Sequence, residues 1–175
     1  MKADAATILL PAEEVALRVE DAALRLVPLI DDETVAVCLL TGGLWFAADL
    51  TRALSRRGLD LAFDALWLAS YGDDKQSQGR IEVRAGLQRP VQGRKVLLID
   101  EVMDSGLSLS AASRIVREAG AAAVVSCVFA RKPWPEPREI APDVVAWEAP
   151  ARFLAGYGMD LAGRWRGAPD VVALD

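Results

Sequence analysis

The sequence predicts a single α/β domain in which helices flank a mostly parallel sheet. Strand-like runs that are apolar throughout, such as Val35–Leu40 and Val96–Ile99, alternate with helical patterns along the chain. Continuous apolar strands are typical of parallel sheets that are buried on both faces, and helices then cover those faces. With 175 residues, of which 53% are hydrophobic, the chain is long enough to form one core without metal or disulfide support.

The first part of the chain contains two helix patterns and two strand patterns. Pro11 can begin a helix, and apolar residues then recur at helical spacing as far as Leu26. The strand Val35–Leu40 and the sequence TGG precede a second helical pattern, which ends at Gly58. The sequence LDLAFDALWLA, at 59–69, predicts another strand.

A polar segment separates this part from a second set of elements. Residues 70–80, SYGDDKQSQGR, are polar and contain glycine, which predicts a mobile loop. IEVRAGL, at 81–87, predicts a strand. The strand Val96–Ile99, a helix that ends at Gly120 and the strand AAVVSCVFA at 122–130 then repeat the strand–helix–strand order. This repetition favours the parallel arrangement.

Composition and charge argue against several classes of function. The formal net charge of −5 gives no general reason to bind nucleic acid or an anionic membrane. Cys38 and Cys127 each lie in an apolar run, which predicts two buried thiols and a reducing, cytoplasmic location. No run approaches the roughly 18 apolar residues of a membrane span, so we expect neither export nor anchoring. A small-molecule substrate fits these properties better.

The stretch VLLIDEVMDSGLSLS, Val96–Ser110, places acids and a small-residue turn at the end of a strand, where ligands bind in such sheets. Backbone N–H groups in a turn that leads into a helix, together with Ser105 and Ser108, form a site for a phosphate monoester. Asp100 and Glu101 would repel phosphate, so they are expected to contact hydroxyls, a metal ion or a cationic base. A sugar phosphate meets both requirements, and a solvated turn is the alternative for either acid. The glycine pattern disfavours P-loop and dinucleotide-binding motifs.

These residues resemble a known family. VLLIDEVMDSGLSLS is similar to the phosphoribosyl-pyrophosphate-binding signature of the type I phosphoribosyltransferases. ARKPWP, at 130–135, and WEAPARFLAGYGMDLAGRWRG, at 147–167, resemble the hypoxanthine-guanine phosphoribosyltransferases in order and in spacing from that signature. The resemblance covers approximately residues 35–175.

The resemblance implies the type I phosphoribosyltransferase fold, formed by one domain over 1–175. The mostly parallel sheet flanked by helices is expected at about 30–147, with a small hood from 1–30 and 148–175 and a flexible lid at 70–80. Phosphoribosyl pyrophosphate and an oxopurine base are the implied substrates, Mg²⁺ is the implied cofactor, and a homodimer or homotetramer is the implied assembly.

The implied reaction is purine salvage. The phosphoribosyl group moves to hypoxanthine or guanine through an oxocarbenium-like transition state, which gives IMP or GMP and diphosphate. A xanthine-preferring enzyme is one alternative. A non-catalytic regulator that senses phosphoribosyl pyrophosphate or nucleotides is another.

The resemblance also implies roles for residues of the signature. Asp104 matches the general base that accepts a proton as the purine nitrogen attacks, and helix capping is its alternative role. Asp100 and Glu101 match the pair that holds the ribose hydroxyls, with contact to magnesium. The residues of the phosphate turn are Ser105, Gly106, Leu107 and Ser108.

Two further segments match parts of the donor site. Thr41, Gly42 and Gly43 match the loop that receives diphosphate through backbone N–H groups, and a cis peptide occurs here in the family. Ser70 and Tyr71 match the tip of a lid that shields the transition state from water. A plain turn and a disordered connection are the respective alternatives.

The C-terminal half supplies the implied base site. Lys132 matches the lysine that donates to the exocyclic oxygen of the base, which favours oxopurines over adenine. Phe153 matches the aromatic residue that stacks on the purine, and Leu154 supplies a backbone contact. Asp160 matches an acid near the exocyclic position and magnesium, and Arg166 matches an arginine that reaches the diphosphate. A surface lysine and a core phenylalanine are the alternatives.

The chain departs from the family pattern at Thr41, at Leu107 and in the acid pair, which reads Asp-Glu where Glu-Asp is usual. Thr41 stands where many relatives have lysine or arginine, and Leu107 stands where a lysine or another polar residue is common, so both reduce the positive charge near the phosphate groups. The chain has no histidine, which excludes a histidine-based mechanism. Trp45 and Phe46 are expected to form part of a subunit contact.

Overall fold

The structure is a computed structural model that describes residues 6–70 and 81–174. Nine strands and three helices are formed within these residues. In chain order they are β1 (Ala6–Leu10), α1 (Ala12–Leu26), β2 (Val35–Leu40), α2 (Gly43–Ser55), β3 (Ala62–Ser70), β4 (Ile81–Ala85), β5 (Lys95–Met103), α3 (Leu107–Glu118), β6 (Ala123–Arg131), β7 (Val144–Glu148), β8 (Phe153–Ala155) and β9 (Val171–Leu174).

The central sheet is mostly parallel, as predicted. Its strand order is β4-β3-β2-β5-β6-β7. All neighbouring strands in it run parallel except β4, which pairs antiparallel with β3 at one edge. Because β2 and β5 are parallel neighbours, their carboxyl ends lie side by side at one edge of the sheet.

The core consists of two apolar layers, one on each face of this sheet. Successive side chains of a strand point to opposite faces, so Ala36 and Cys38 of β2 pack with α1 and α2, whereas Val37 packs with α3. All three residues are completely buried. Burial on both faces explains why the strands are apolar throughout.

A second, three-stranded antiparallel sheet joins the two ends of the described chain, in the order β1-β9-β8. Ile8 pairs with Val172, and Leu154 pairs with Ala173 on the other side of β9. The two elements of the predicted hood segment 1–30 therefore lie in different parts of the structure. β1 lies in the small sheet, but α1 packs against α2 and β7 and contributes to the main core.

Two expectations from sequence meet different outcomes. Phe46 is completely buried and packs edge-on against Phe129, with ring centroids 5.4 Å apart, so the expectation that it forms a subunit contact is wrong. The predicted lid at 70–80 falls almost entirely outside the described residues, and β3 ends at its first residue, Ser70. In the described part of the chain, no helix combines the length and apolar character needed to cross a membrane.

Candidate active site

A cavity of about 580 Å³ lies at the carboxyl ends of β2, β3 and β5. Its walls include the segment after β2, the acidic end of β5 and the turn that begins α3. The parallel pairing of β2 with β5 brings the first two segments together, although about 60 residues separate them. The predicted site residues that line it are Thr41, Gly42, Asp100, Glu101, Asp104, Ser105, Gly106, Leu107, Ser108 and Arg166.

The two adjacent acids of β5 form a buried pair. Asp100 is only 8% exposed, and its Oδ1 accepts a hydrogen bond of 3.0 Å from the backbone N–H of Glu101. Burial raises the pKa of Asp100 well above its ordinary value, and the neighbouring Glu101 charge raises it further. Burial also raises the pKa of Glu101. Hydroxyl donors or a cation would therefore favour the ionised pair.

Two segments, at Gly42 and at Gly158, approach Glu101 and each other so closely that both positions require glycine. A Cβ atom on Gly42 would collide with the Glu101 carboxylate, and one on Gly158 would collide with the Gly42 carbonyl oxygen. Gly158 also has φ +96°, in the left-handed region that glycine adopts readily. The peptide between Leu40 and Thr41 is cis, where the resemblance implied one.

Arg166 links the acid pair to the segment that precedes β9. Its Nη2 lies 2.6 Å from Asp160 Oδ1, and its Nη1 lies 3.8 Å from Glu101 Oε1. Nη1 also donates to the Gly158 carbonyl at 2.5 Å. The other Asp160 oxygen accepts from the Gly163 N–H at 2.7 Å. The guanidinium thus holds Asp160 and Glu101 at one end of the cavity.

Asp104 and Lys132 form an ion pair at the ends of neighbouring strands. Lys132 Nζ lies 3.2 Å from Asp104 Oδ1, and the Lys132 N–H donates to the Met103 carbonyl at 3.0 Å. The Asp104 side chain is 49% exposed, whereas that of Lys132 is 18% exposed. A proton acceptor and a cationic donor are therefore available to the same ligand.

The turn after Asp104 leads directly into α3. Gly106 precedes the helix with φ +86°, and a Cβ atom there would lie 2.6 Å from Met103 Cε. The Leu107 N–H at the start of α3 donates to Ser105 Oγ at 3.4 Å, and among the described residues the Asp104 side chain accepts no N–H of the helix, so the alternative role of Asp104 as a helix cap does not hold. α3 has 12 residues, and its first residues line the cavity, so the N-terminal end of the helix lies at the cavity. The free N–H groups at such an end favour binding of an anion.

Several of the predicted site residues do not line the cavity described above. Lys132 and Asp160 reach it through their partners Asp104 and Arg166. Phe153 is 51% exposed on β8, so the alternative of a core phenylalanine is wrong, and Leu154 is buried in the small sheet. Gly43 begins α2 beside the cavity. Tyr71 lies outside the described residues.

Among the cavity residues that sequence reasoning missed are an aromatic and a cationic side chain, Trp67 and Arg84. Trp67, near the end of β3, is 40% exposed, and the Arg84 guanidinium lies 5.7 Å from its ring centroid, a cation–π distance. Trp67 pairs in register with Leu40, next to the glycine loop. Its place at the carboxyl end of a strand was the available signal.

Comparison with known proteins identifies the family. A sequence profile of the phosphoribosyl transferase domain matches residues 6–161. The hypoxanthine-guanine phosphoribosyltransferase of Bacillus subtilis (strain 168) is 31% identical over 175 residues, which cover 99% of this chain and 96% of that protein. The chain belongs to the hypoxanthine-guanine phosphoribosyltransferases. The resemblance seen in the sequence is thereby confirmed.

Other members of the hypoxanthine-guanine phosphoribosyltransferases agree in sequence and fold. The Aquifex aeolicus (strain VF5) member is 29% identical over 96% of this chain and 94% of its own length. A crystal structure of the Bacillus anthracis member has a TM-score of 0.86 at 26% identity, with 97% of this chain and 98% of that chain covered. The type I phosphoribosyltransferase fold is therefore confirmed, and the protein is a transferase of purine salvage.

Proposed function

We propose that this hypoxanthine-guanine phosphoribosyltransferase transfers the phosphoribosyl group of phosphoribosyl pyrophosphate to hypoxanthine or guanine. The products would be IMP or GMP and diphosphate. The observation that carries the proposal is the Asp104–Lys132 pair, 3.2 Å apart, beside a cavity whose wall includes an anion-binding turn and two buried acids. This arrangement provides for a base and for a sugar phosphate at once.

The donor would occupy the cavity. The N–H groups of the turn 105–108 would bind its 5′-phosphate, and Asp100 and Glu101 would accept hydrogen bonds from the ribose hydroxyls. The backbone of Thr41–Gly43 and the Arg166 guanidinium would hold the diphosphate. In this proposal the close contacts of Gly42 with Glu101 bring the diphosphate and ribose sites next to each other.

The base would lie between Asp104 and the small sheet. Asp104 would accept the proton that the purine nitrogen loses as its bond to the anomeric carbon forms and the bond to diphosphate breaks. Lys132 would donate to the exocyclic oxygen, so an amino group at that position would leave the ammonium without an acceptor. Phe153 is exposed and can stack on the purine, and Leu154 offers its backbone.

Mg²⁺ fits the donor set of this site. Asp100, Glu101 and Asp160 offer oxygen atoms only, and Mg²⁺ commonly binds one or two carboxylates together with substrate phosphates. No group of three or more His, Cys, Asp or Glu side chains suited to a metal is found in the described part of the chain, so the diphosphate would complete the ligand set. The ion would neutralise charge on the diphosphate when bound.

The test is turnover with four bases. Purified protein with Mg²⁺ and phosphoribosyl pyrophosphate would be offered hypoxanthine, guanine, xanthine and adenine separately, and nucleotide would be measured by chromatography. We expect product from hypoxanthine and guanine and none above background from adenine. Faster turnover of xanthine would instead favour the xanthine-preferring alternative. Donor binding without turnover on any base would contradict the proposal and favour the regulatory alternative.

A matched pair of variants would test Asp104 in the same assay. Asp104→Asn removes the proton acceptor with little change in shape, so turnover should fall roughly 100- to 10,000-fold. Asp60→Asn is the control, because Asp60 is exposed and precedes β3 at the opposite edge of the sheet. Equal activity of the two variants would remove Asp104 from its proposed role.

We further propose a homo-oligomer in the cytoplasm. A solved structure of Trypanosoma cruzi hypoxanthine phosphoribosyl transferase, with a TM-score of 0.87 at 25% identity over 97% of this chain and 91% of that chain, comes from work on the oligomeric state of that enzyme. Both cysteines of the present chain are free and buried, which supports a reducing compartment. Sedimentation that shows only monomer would contradict the assembly.

A further inference from the structure

Arg138 connects the two loops that carry the ion pair of the site. Its Nε donates to the Asp104 carbonyl at 2.7 Å, and its Nη2 donates to the Lys132 carbonyl. The side chain is half-buried between these loops. The two acceptors are main-chain groups of Asp104 and Lys132, the residues that the proposed function assigns to the base.

The residues that follow Arg138 lie along the turn that begins α3. Glu139 accepts a hydrogen bond of 3.1 Å from the Ser110 hydroxyl. Ile140 Cγ2 and Arg138 Cδ lie 3.6 and 3.8 Å from the position of a Cβ atom on Gly106. The segment 138–140 therefore lies against Gly106 and against the first turn of α3.

The chemistry of arginine suits this bridge. Its guanidinium is planar, permanently charged and presents five N–H donors in a fixed fork, so one side chain can hold two carbonyl groups at a set separation. A lysine ammonium would keep the charge but is a single point on a flexible stem. Past the end of β6, one backbone hydrogen bond joins the two segments among the described residues, from the Lys132 N–H to the carbonyl of Met103, the last residue of β5.

We propose that Arg138 is a positioning residue that fixes Asp104 and Lys132 at the spacing the purine requires. The inference rests on the proposed function for the role of those two residues. Arg138 itself contacts their backbone and acts on the base only through them. A displacement of about 1 Å at such a site can lower the rate roughly a hundredfold.

Steady-state kinetics of Arg138→Ala and Arg138→Lys would test the role. We expect kcat to fall and KM for hypoxanthine to rise, with kcat/KM for the base about 10- to 100-fold lower in both variants. KM for phosphoribosyl pyrophosphate should rise less than KM for hypoxanthine, since both hydrogen bonds of Arg138 go to the base-side residues. Arg114→Ala is the matched control, because Arg114 is an exposed arginine of α3 and makes no side-chain hydrogen bond with the described residues.

A second measurement does not depend on turnover. Hydrogen exchange of the peptides that contain Met103–Ser108 and Arg131–Arg138 should accelerate in both Arg138 variants and stay unchanged in Arg114→Ala, while the melting temperature defines the folded fraction. If the wild-type protein makes no nucleotide, the proposed function fails, but the exchange rates still decide whether Arg138 fixes the loops. Unchanged exchange, full rescue by Arg138→Lys, or an equal loss in KM for the donor would each overturn the inference.

Discussion

Gly42→Ala adds one methyl group at the point where three segments meet, and its effect follows from the surrounding atoms. The new Cβ would overlap the Glu101 carboxylate, whose second oxygen lies 2.7 Å from that position. Glu101 cannot turn away freely, because its side chain is only 15% exposed and lies beside Asp100 and Arg166. The variant must therefore displace the acid or the glycine loop.

The expected magnitude comes from the cost of overpacking. Added methyl groups in a well-packed site cost about 1–3 kcal/mol. If this cost falls on the donor site, kcat/KM for phosphoribosyl pyrophosphate should drop roughly 5- to 150-fold, since each 1.36 kcal/mol is a factor of ten. Initial rates at saturating hypoxanthine and varied donor concentration would measure it.

Two further variants make this reasoning refutable. Gly86→Ala is the control, because no atom lies within 4 Å of a Cβ atom at that position. Glu101→Asp in the Gly42→Ala background shortens the opposing side chain by one methylene and should restore part of the donor affinity. Wild-type donor kinetics and melting temperature in Gly42→Ala would refute the argument.

Three other outcomes follow from the structure. Lys132→Met should lower kcat/KM for hypoxanthine about 10- to 100-fold, because it removes a hydrogen bond from a charged donor. The ratio of kcat/KM for hypoxanthine to that for adenine should fall as well, as steady-state rates with both bases would show. Burial raises the pKa of Cys38 to about 12 and also raises that of Cys127, so both thiols should resist a thiol reagent at pH 8 in the native protein and react in urea. Hydrogen bonds from two arginines lower the pKa of Glu20 below its ordinary 4.5. The wild-type protein should therefore be more stable than Glu20→Gln above about pH 4.5, and this difference should vanish as the pH falls further. Melting temperatures of both proteins across this pH range would measure it.

Much of the fold and of the cavity wall was predictable from the sequence, because the signals are local. The apolar runs of β2 and β5 have one reasonable interpretation, and adjacency of parallel strands then brings Thr41 and Asp100 to the same edge. The acids and the turn follow from their position at a strand end.

What sequence could not provide depends on distant partners. α1 is amphipathic, but its pattern does not say which surface it covers. In the structure that surface belongs to α2 and β7. β1, β8 and β9 are short, and β1 finds its partner about 160 residues away. Arg138 was missed for a related reason. It donates to backbone carbonyls, which every residue type carries, so no sequence motif marks its partners.

The pairing of β1 with β9 has a consequence for the chemistry far from it. The loop that carries Asp160 and Arg166 leaves β8 and returns through β9, so both of its ends are fixed in the small sheet. Ala12 at the start of α1 adds a further tie, since its N–H donates to Asp170 Oδ1 at 2.8 Å. The first strand thus acts as a tether for an arginine more than 150 positions later. Removing β1 would turn β9 into an unpaired edge strand and loosen the loop whose arginine we propose to hold the diphosphate.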